Sequence, residues 1–318
     1  MAGIKDIAKK AGVSISTVSY ALNNNPKVTE ITRKKIIAVA NEMGYVPNGA
    51  ARMLRARETK IIGVFLEDYS GTFYGQLLKG MRETLNKQGY ELVVCSGRQS
   101  RRLLLEKMMD GAIILDGSFS DQELLTYADQ GHRIIVLDRD LKHKNIKTVL
   151  LDNAKGAELA IMELLKNKVS DLWVITGPDK SYDSKERIMG MNQAMKLFPN
   201  IKIHQFNGAF SKSSGEKAAR KIMNNILKPV AIFCLNDEMA VGVYDYIKKT
   251  DFKIGRDVYI VGFDNIELSK YLNPRLTTVD YSAFEWGALA TTNLLKLISD
   301  QPTKNEKIAV EFIKGESC

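Results

Sequence analysis

The sequence predicts a small all-α head followed by an α/β body of two lobes with parallel sheets. Three observations predict it. Two short helical periods flank a glycine at the start of the chain. Positive charge is concentrated in the first 60 residues. From Ile61 onward, strand-length apolar runs alternate with helical periods.

Ile4, Ile7, Ala8 and Ala11 fall at i, i+3, i+4 and i+7, one apolar helix face. Gly12 then stops the helix, because glycine accepts the left-handed conformation that a helix end needs. Ser14 is an expected N-cap for a second helix, on which Val18, Ala21 and Leu22 face inward. Two helices joined by a short glycine turn form a helix-turn-helix, whose second helix enters the major groove of DNA. Asn23-Asn24-Asn25-Pro26 is a loop. A third helix is expected to open at Thr32 and close at Gly44, with Ile36, Val39, Ala40 and Met43 inward. The segment 49–56 is too short for a stable helix alone and is expected to order only against DNA or a second copy.

Charge divides the chain in the same place. Residues 1–60 hold eleven Lys or Arg against four Asp or Glu, a net of +7 out of +9 for the whole chain. A phosphate backbone attracts such a head. At 318 residues the chain has room for two or three domains. Its apolar runs are too short to span a bilayer, and the N-terminus lacks an apolar signal core, so a cytoplasmic protein is expected. Cys95, Cys234 and Cys318 are isolated, which suggests reduced thiols, packed inside at Cys95 and Cys234, and no metal site.

The body is read from eleven apolar runs, from Ile61–Leu66 through Ala231–Leu235 to Ile308–Phe312, with helical periods between most of them. So many strands in about 250 residues suit two parallel sheets better than one. Ligands of such sheets bind beyond the carboxyl ends of the strands, so a small-molecule cleft is expected between the lobes. Arg187, Asp237 and Asp264 stand just past strands or at helix starts and are the main candidates to line it. Turn capping is the alternative for Asp264.

With head and body assembled, the chain closely resembles the lactose-repressor (LacI) family of bacterial transcription regulators over essentially its whole length. The most specific part runs from Ile4-Lys5-Asp6-Ile7-Ala8-Lys9 through Val13-Ser14, Thr17-Val18-Ser19 and Leu22-Asn23. Further matches include Gly44-Tyr45, Pro47-Asn48, Ala51-Arg52, Phe73-Tyr74, Asp152-Asn153, Gly177-Pro178, Asn236-Asp237, Gly262-Phe263-Asp264-Asn265 and Leu276-Thr277-Thr278-Val279. Two features depart from the family. Gly3 stands where a threonine usually caps the first helix. The stretch 96–110 is several residues short and carries Gly97-Arg98-Gln99-Ser100-Arg101-Arg102, so the helix there must be short.

The resemblance implies a homodimeric repressor, occasionally an activator, with a periplasmic-binding-protein-like body. It implies a helix-turn-helix domain at 1–47, a hinge helix and linker at 48–60, and an effector and dimerisation body at 61–318. Lobe 1 would span about 61–150 and 281–304, and lobe 2 about 151–280 and 305–318. It places Ile15, Ser16 and Tyr20 against base edges in the major groove, chemistry that a methyl contact and two hydroxyls can supply. Core packing is the alternative for Ile15. Ser14, Thr17, Ser19, Asn23 and Tyr45 suit phosphate oxygens. Leu54 is expected to wedge into a central step of the minor groove, with Arg55 in that negative groove beside it. A small hydrophobic cluster is the alternative for Leu54.

In the cleft, the resemblance has Arg187 and Asp264 bind ligand hydroxyls, through donors in a fixed fork and a carboxylate that accepts twice. Phe73 and Phe210 would lie against the ligand, with Tyr74 and Asp183 nearby and Arg139 reaching in. Ordinary core is the alternative for Phe73. The set suits a sugar or sugar derivative, and the sequence leaves open a sugar phosphate, a nucleobase or a phosphorylated carrier protein, as well as the direction of control.

Two other classes fit the sequence less well. An enzyme is disfavoured because the P-loop, nucleophile-elbow and zinc-protease patterns are missing, and His132, His143 and His204 have no metal or acid–base spacing and suit the surface. No cofactor is expected. A solute-binding protein would carry a signal peptide and no basic head.

Overall fold

The computed structural model describes residues 3–46, 58–69, 73–224 and 229–318. The chain divides into two compact units, Met1–Thr59 and Lys60–Cys318.

The first unit holds three helices, α1 (Ile4–Ala11), α2 (Ile15–Leu22) and α3 (Glu30–Glu42). Ile7, Ala8, Ala11, Val18, Ala21, Val28, Ile36 and Ala40 form its core. Gly12 ends α1 at φ +70°, where a side chain would be strained. Gly3 offers no side-chain cap, and its backbone N–H donates instead to Asp6 Oδ2 at 2.8 Å. Ser14 caps α2, its Oγ accepting from the Thr17 N–H at 3.1 Å. The third helix begins earlier than the sequence suggested. Thr29, not Thr32, is the cap, accepting from the Thr32 N–H at 3.4 Å. Two threonines three residues apart offer the same hydroxyl, and the turn at Asn25–Val28 selects the first.

The second unit contains a six-stranded sheet in the order β11-β5-β4-β3-β1-β2 and a four-stranded sheet in the order β7-β6-β8-β9. The strands are β1 (Ile61–Leu66), β2 (Glu91–Ser96), β3 (Gly111–Leu115), β4 (Ile134–Val136), β5 (Ile146–Leu151), β6 (Asp171–Thr176), β7 (Lys202–Asn207), β8 (Val230–Cys234), β9 (Val258–Val261), β10 (Thr278–Asp280), β11 (Glu306–Ile308) and β12 (Glu311–Ile313). Every pairing inside the two sheets is parallel. Along β1, Ile62, Val64 and Leu66 enter one core while Phe65 enters the core on the opposite face. Both faces are therefore covered, which is why the strands read as continuous apolar runs. Each buried Leu, Ile or Phe contributes about 1.5–3 kcal/mol of transfer free energy.

The chain first passes from one sheet to the other after β5 and returns after β10 into the helix Ala283–Ile298. The apolar run Ile308–Phe312 is not one strand. Glu306–Ile308 adds to the edge of the six-stranded sheet, with Glu306 opposite Val149, while Glu311–Ile313 pairs antiparallel with β10. Residues 305–318 therefore do not all belong with the four-stranded sheet, because a third passage falls between these two short strands. The stretch after β2 forms a 3-10 turn, Arg98–Arg101, and one α-turn, Arg102–Leu105, as its length demanded. Arg101 is buried there, stacked 3.9 Å over the Phe119 ring and bonded to Glu123 and Ser118 at 2.8 and 2.6 Å. His132 is buried as well, contrary to its expected surface position, and burial lowers its pKa. Cys95 and Cys234 are buried free thiols. Among the described residues, no helix is long and apolar enough to cross a membrane.

Candidate nucleic-acid interface and effector cleft

In the head, one face of α2 packs and the other is open. Val18 and Ala21 are buried, whereas Ile15 is 45% exposed and Tyr20 39%. Ser16 is exposed between them. The three residues expected to read bases thus lie on the open side, and Ile15 is not a core residue. Ser14 Oγ lies 2.7 Å from Ser16 Oγ and 2.8 Å from Thr17 Oγ1, a cluster of hydroxyls at the helix N-terminus. Such an end, with its exposed amides and positive dipole, suits a phosphate oxygen. Asn23 is exposed and donates to the Ser19 carbonyl at 2.8 Å, and Tyr45 lies half-buried against the three-helix core. Leu54 and Arg55 lie outside the described residues.

In the body, Arg187 organises a network of buried side chains at the strand ends. It sits in the helix Tyr182–Met195, which starts beyond the carboxyl end of β6, and it is 3% exposed. Its Nε donates to Asn153 Oδ1 at 2.8 Å, one terminal nitrogen donates to the Leu235 carbonyl, and the other donates to Asp264 Oδ1 at 3.2 Å. The guanidinium lies 3.6 Å over the Phe263 ring. Asn153 also donates to Asp183 Oδ1 at 2.8 Å, so one amide joins Arg187 to Asp183. Tyr281 donates its hydroxyl to Asp264 Oδ1 at 3.1 Å. Arg187, Asp183 and Asp264 are therefore one network. These bonds use three of the five N–H groups on Arg187.

Burial raises the Asp264 carboxyl to about 6 against the pull of Arg187, and it raises Asp183 as well, opposed by Arg187 and Asn153. Asp264 is held at φ +108° and Asn265 at φ +45°. Such a backbone costs on the order of 1–3 kcal/mol per residue and persists only where the surroundings over-determine it. Here Arg187, Tyr281 and the bond from the Asp264 N–H to the Val279 carbonyl at 2.8 Å do so.

Aromatic rings complete the site. Phe73 packs edge-on against Tyr74 at 5.1 Å and Trp286 at 6.3 Å, and Trp286 meets Tyr281 at 5.8 Å. Tyr281 in turn lies 6.2 Å from Phe263. Burial, then Asp68, Glu67 and Asp116, push the Tyr74 hydroxyl up to about 12. Phe210 adopts φ +54° and lays its ring on Gly177, where any Cβ would come within 2.1 Å of the ring. That close approach requires glycine.

Two expected residues have other work. Asp237 is fully buried, and its carboxylate accepts from Thr278 Oγ1 at 2.7 Å and from the Ile266 N–H at 3.1 Å. It braces the loop after β9, and its side chain has no exposed surface. Arg139 clamps Asp138 through two bonds of 2.9 Å and donates to the carbonyls of Asp116 and Phe119. It braces the loops that follow β3 and β4. Sequence reasoning missed Asn153, Tyr281, Phe263 and Trp286. The Asp152-Asn153 pair just past β5 was a signal for the first; Tyr281 and Trp286 carried none.

A helix-turn-helix head on a two-sheet body with a network at the strand ends defines a class of ligand-responsive DNA-binding regulator. The model for bacterial regulatory proteins of the lacI family matches residues 3–48, and that for the periplasmic binding protein-like domain matches 161–318. The HTH-type transcriptional repressor PurR of Aliivibrio salmonicida is 31% identical over 95% of this chain and 93% of that protein. The ribose operon repressor of Escherichia coli is 31% identical over 96% of each. The crystal structure of a sugar-binding transcriptional regulator (LacI family) from Enterococcus faecalis matches with a TM-score of 0.78 and 43% identity, over 82% of this chain and 98% of that one. The chain belongs to the LacI family and is a DNA-binding transcriptional regulator.

Proposed function

We propose that this chain is a homodimeric repressor working in the cytoplasm, and that a sugar or sugar derivative between its lobes sets its grip on a pseudo-palindromic operator. The observation that carries the reading is the nearly buried Arg187–Asp264 pair at the strand ends, with side-chain exposures of 4% and 9%. It offers adjacent donors and acceptors to vicinal hydroxyls, while Phe73 and Phe210 supply faces for C–H groups. The names of the ribose operon repressor and the sugar-binding Enterococcus regulator support a sugar. Ile15, Ser16 and Tyr20 read bases; Ser14, Thr17, Ser19, Asn23 and Tyr45 take phosphates; Leu54 and Arg55 enter the minor groove. The working division is a head at 1–47, a hinge at 48–60 and a body at 61–318. A coupling of about 1–3 kcal/mol between cleft and head changes operator affinity roughly 5- to 150-fold.

The test uses the full chain. An uncharged aldose raises the melting temperature of the protein and not of Asp264→Ala. An equal rise in both removes the cleft assignment. Leu54→Ala keeps the sugar response and binds operator at least tenfold more weakly in a gel shift at fixed salt. Equal operator affinity removes the wedge.

A further inference from the structure

We propose that the cleft is built for an uncharged polyol and turns away its phosphorylated or carboxylated counterpart, an inference that rests on reading the cleft as the sugar site. Negative charge gathers at the strand ends. On the six-stranded side, β1 runs into Glu67 and Asp68, β3 into Asp116, and β4 through Leu137 into Asp138. On the other side stand Asp183 and Asp264. These groups feel one another: burial, then Asp116, Asp68 and Asp138, raise the Glu67 carboxyl, and Asp138 acts on Asp183 from the opposite sheet.

The cations at the same place are committed. Arg139 is held in a two-bond clamp by Asp138. Arg187 is paired with Asp264 and bonded to Asn153 and the Leu235 carbonyl. Helix N-termini would also welcome an anion, but Asp183 and Asp237 already occupy the first turns of the helices Tyr182–Met195 and Asp237–Ile247. Lys180 lies exposed in the loop after β6, and Lys185 turns to an outer groove of about 470 Å³ beside Ile188 and Met189. An entering phosphate or carboxylate therefore meets net negative charge. A hydroxyl can donate to the oxygens of Asp264 or accept from a guanidinium and is indifferent to that charge.

Calorimetric titration of the full chain with matched sets tests this: ribose against ribose 5-phosphate, and glucose against glucose 6-phosphate, glucuronate and glucosamine. In a set whose uncharged sugar binds, the anionic member is expected to bind at least tenfold more weakly, a difference of about 1.4 kcal/mol, and the amine-bearing member no more weakly. The gap should narrow at high salt, in Glu67→Gln and in Asp68→Asn, both at exposed positions. An anionic sugar that binds as tightly as the neutral one overturns the inference and leaves the sugar-site reading standing. So does a gap that neither salt nor either variant moves. If no sugar of any charge binds while operator binding is intact, the sugar-site reading itself falls, and this inference falls with it.

Discussion

The two units hold their functional groups in opposite ways. The head keeps its proposed contacts in water, with Ile15 and Tyr20 exposed on α2 and hydroxyls grouped around Ser14. The body keeps its own out of water, with Arg187 at 3% exposure inside a network of Asn153, Asp183, Asp264 and Tyr281. Exposed contacts such as Ile15 and Tyr20 can be changed with little effect on the fold. A buried charged network cannot, because each charge there is tolerated only through its partners.

Removal of one guanidinium breaks that comparison most sharply. Arg187→Ala leaves Asp264 and Asp183 without their counter-charge and is expected to destabilise the body by about 3–5 kcal/mol. For a unit of this size that lowers the melting temperature on the order of 10 °C. The paired change Arg187→Met with Asp264→Asn should recover only part of the loss, since it removes both charges of the pair and keeps a residue that tolerates positive φ at 264, while Asp183 stays without its counter-charge. Tyr20→Ala in the head should move the melting temperature hardly at all and weaken operator binding by about 1–3 kcal/mol. If Arg187→Ala melts with the parent protein, the network is not structural.

Acidity sharpens the same contrast at smaller scale. Burial raises the Asp264 carboxyl from 3.8 to about 6. A carboxyl raised in the folded state favours folding when protonated. Its contribution is full below about 3.8 and is lost as the pH rises through about 6. Asp183 is raised in the same direction. Thermal melts from pH 4.5 to 7.5 should show Asp264→Asn gaining on the parent as pH rises, by on the order of 1–3 kcal/mol across the range. Parallel curves would mean that Asp264 does not carry the shift.

Legibility in the sequence follows the same division. The head is local: period, a glycine stop and a serine cap within a few residues fix α1 and α2, and only the choice between Thr29 and Thr32 needed three dimensions. The parallel strands were legible because burial on both faces leaves continuous apolar runs. The split between β11 and β12 was not, because two short strands meeting in sequence look like one. In the strand-end network, Arg187 and Asp264 could be picked out, and Asp237 looked the same as they did. What separates it is Thr278, more than forty residues away along the chain, which donates to its carboxylate. Asn153 and Tyr281 act only through partners on distant segments.

The smallest expected effect lies at Ser14, where fold and function share one oxygen. Its Oγ accepts from the Thr17 N–H at 3.1 Å, and the same hydroxyl is proposed to meet a phosphate. Ser14→Ala removes both roles and should cost the head about 0.5–2 kcal/mol, measured by hydrogen exchange of the α2 amides. Ser14→Asp separates them. Aspartate caps a helix as well as serine does and suits the positive end of the dipole, so α2 should stay as protected as in the parent. Its charge opposes a phosphate, so operator binding should weaken, most of all at low salt. Unchanged operator affinity in Ser14→Asp would leave Ser14 a cap and nothing more, and would remove the N-terminus of α2 from the set of phosphate contacts.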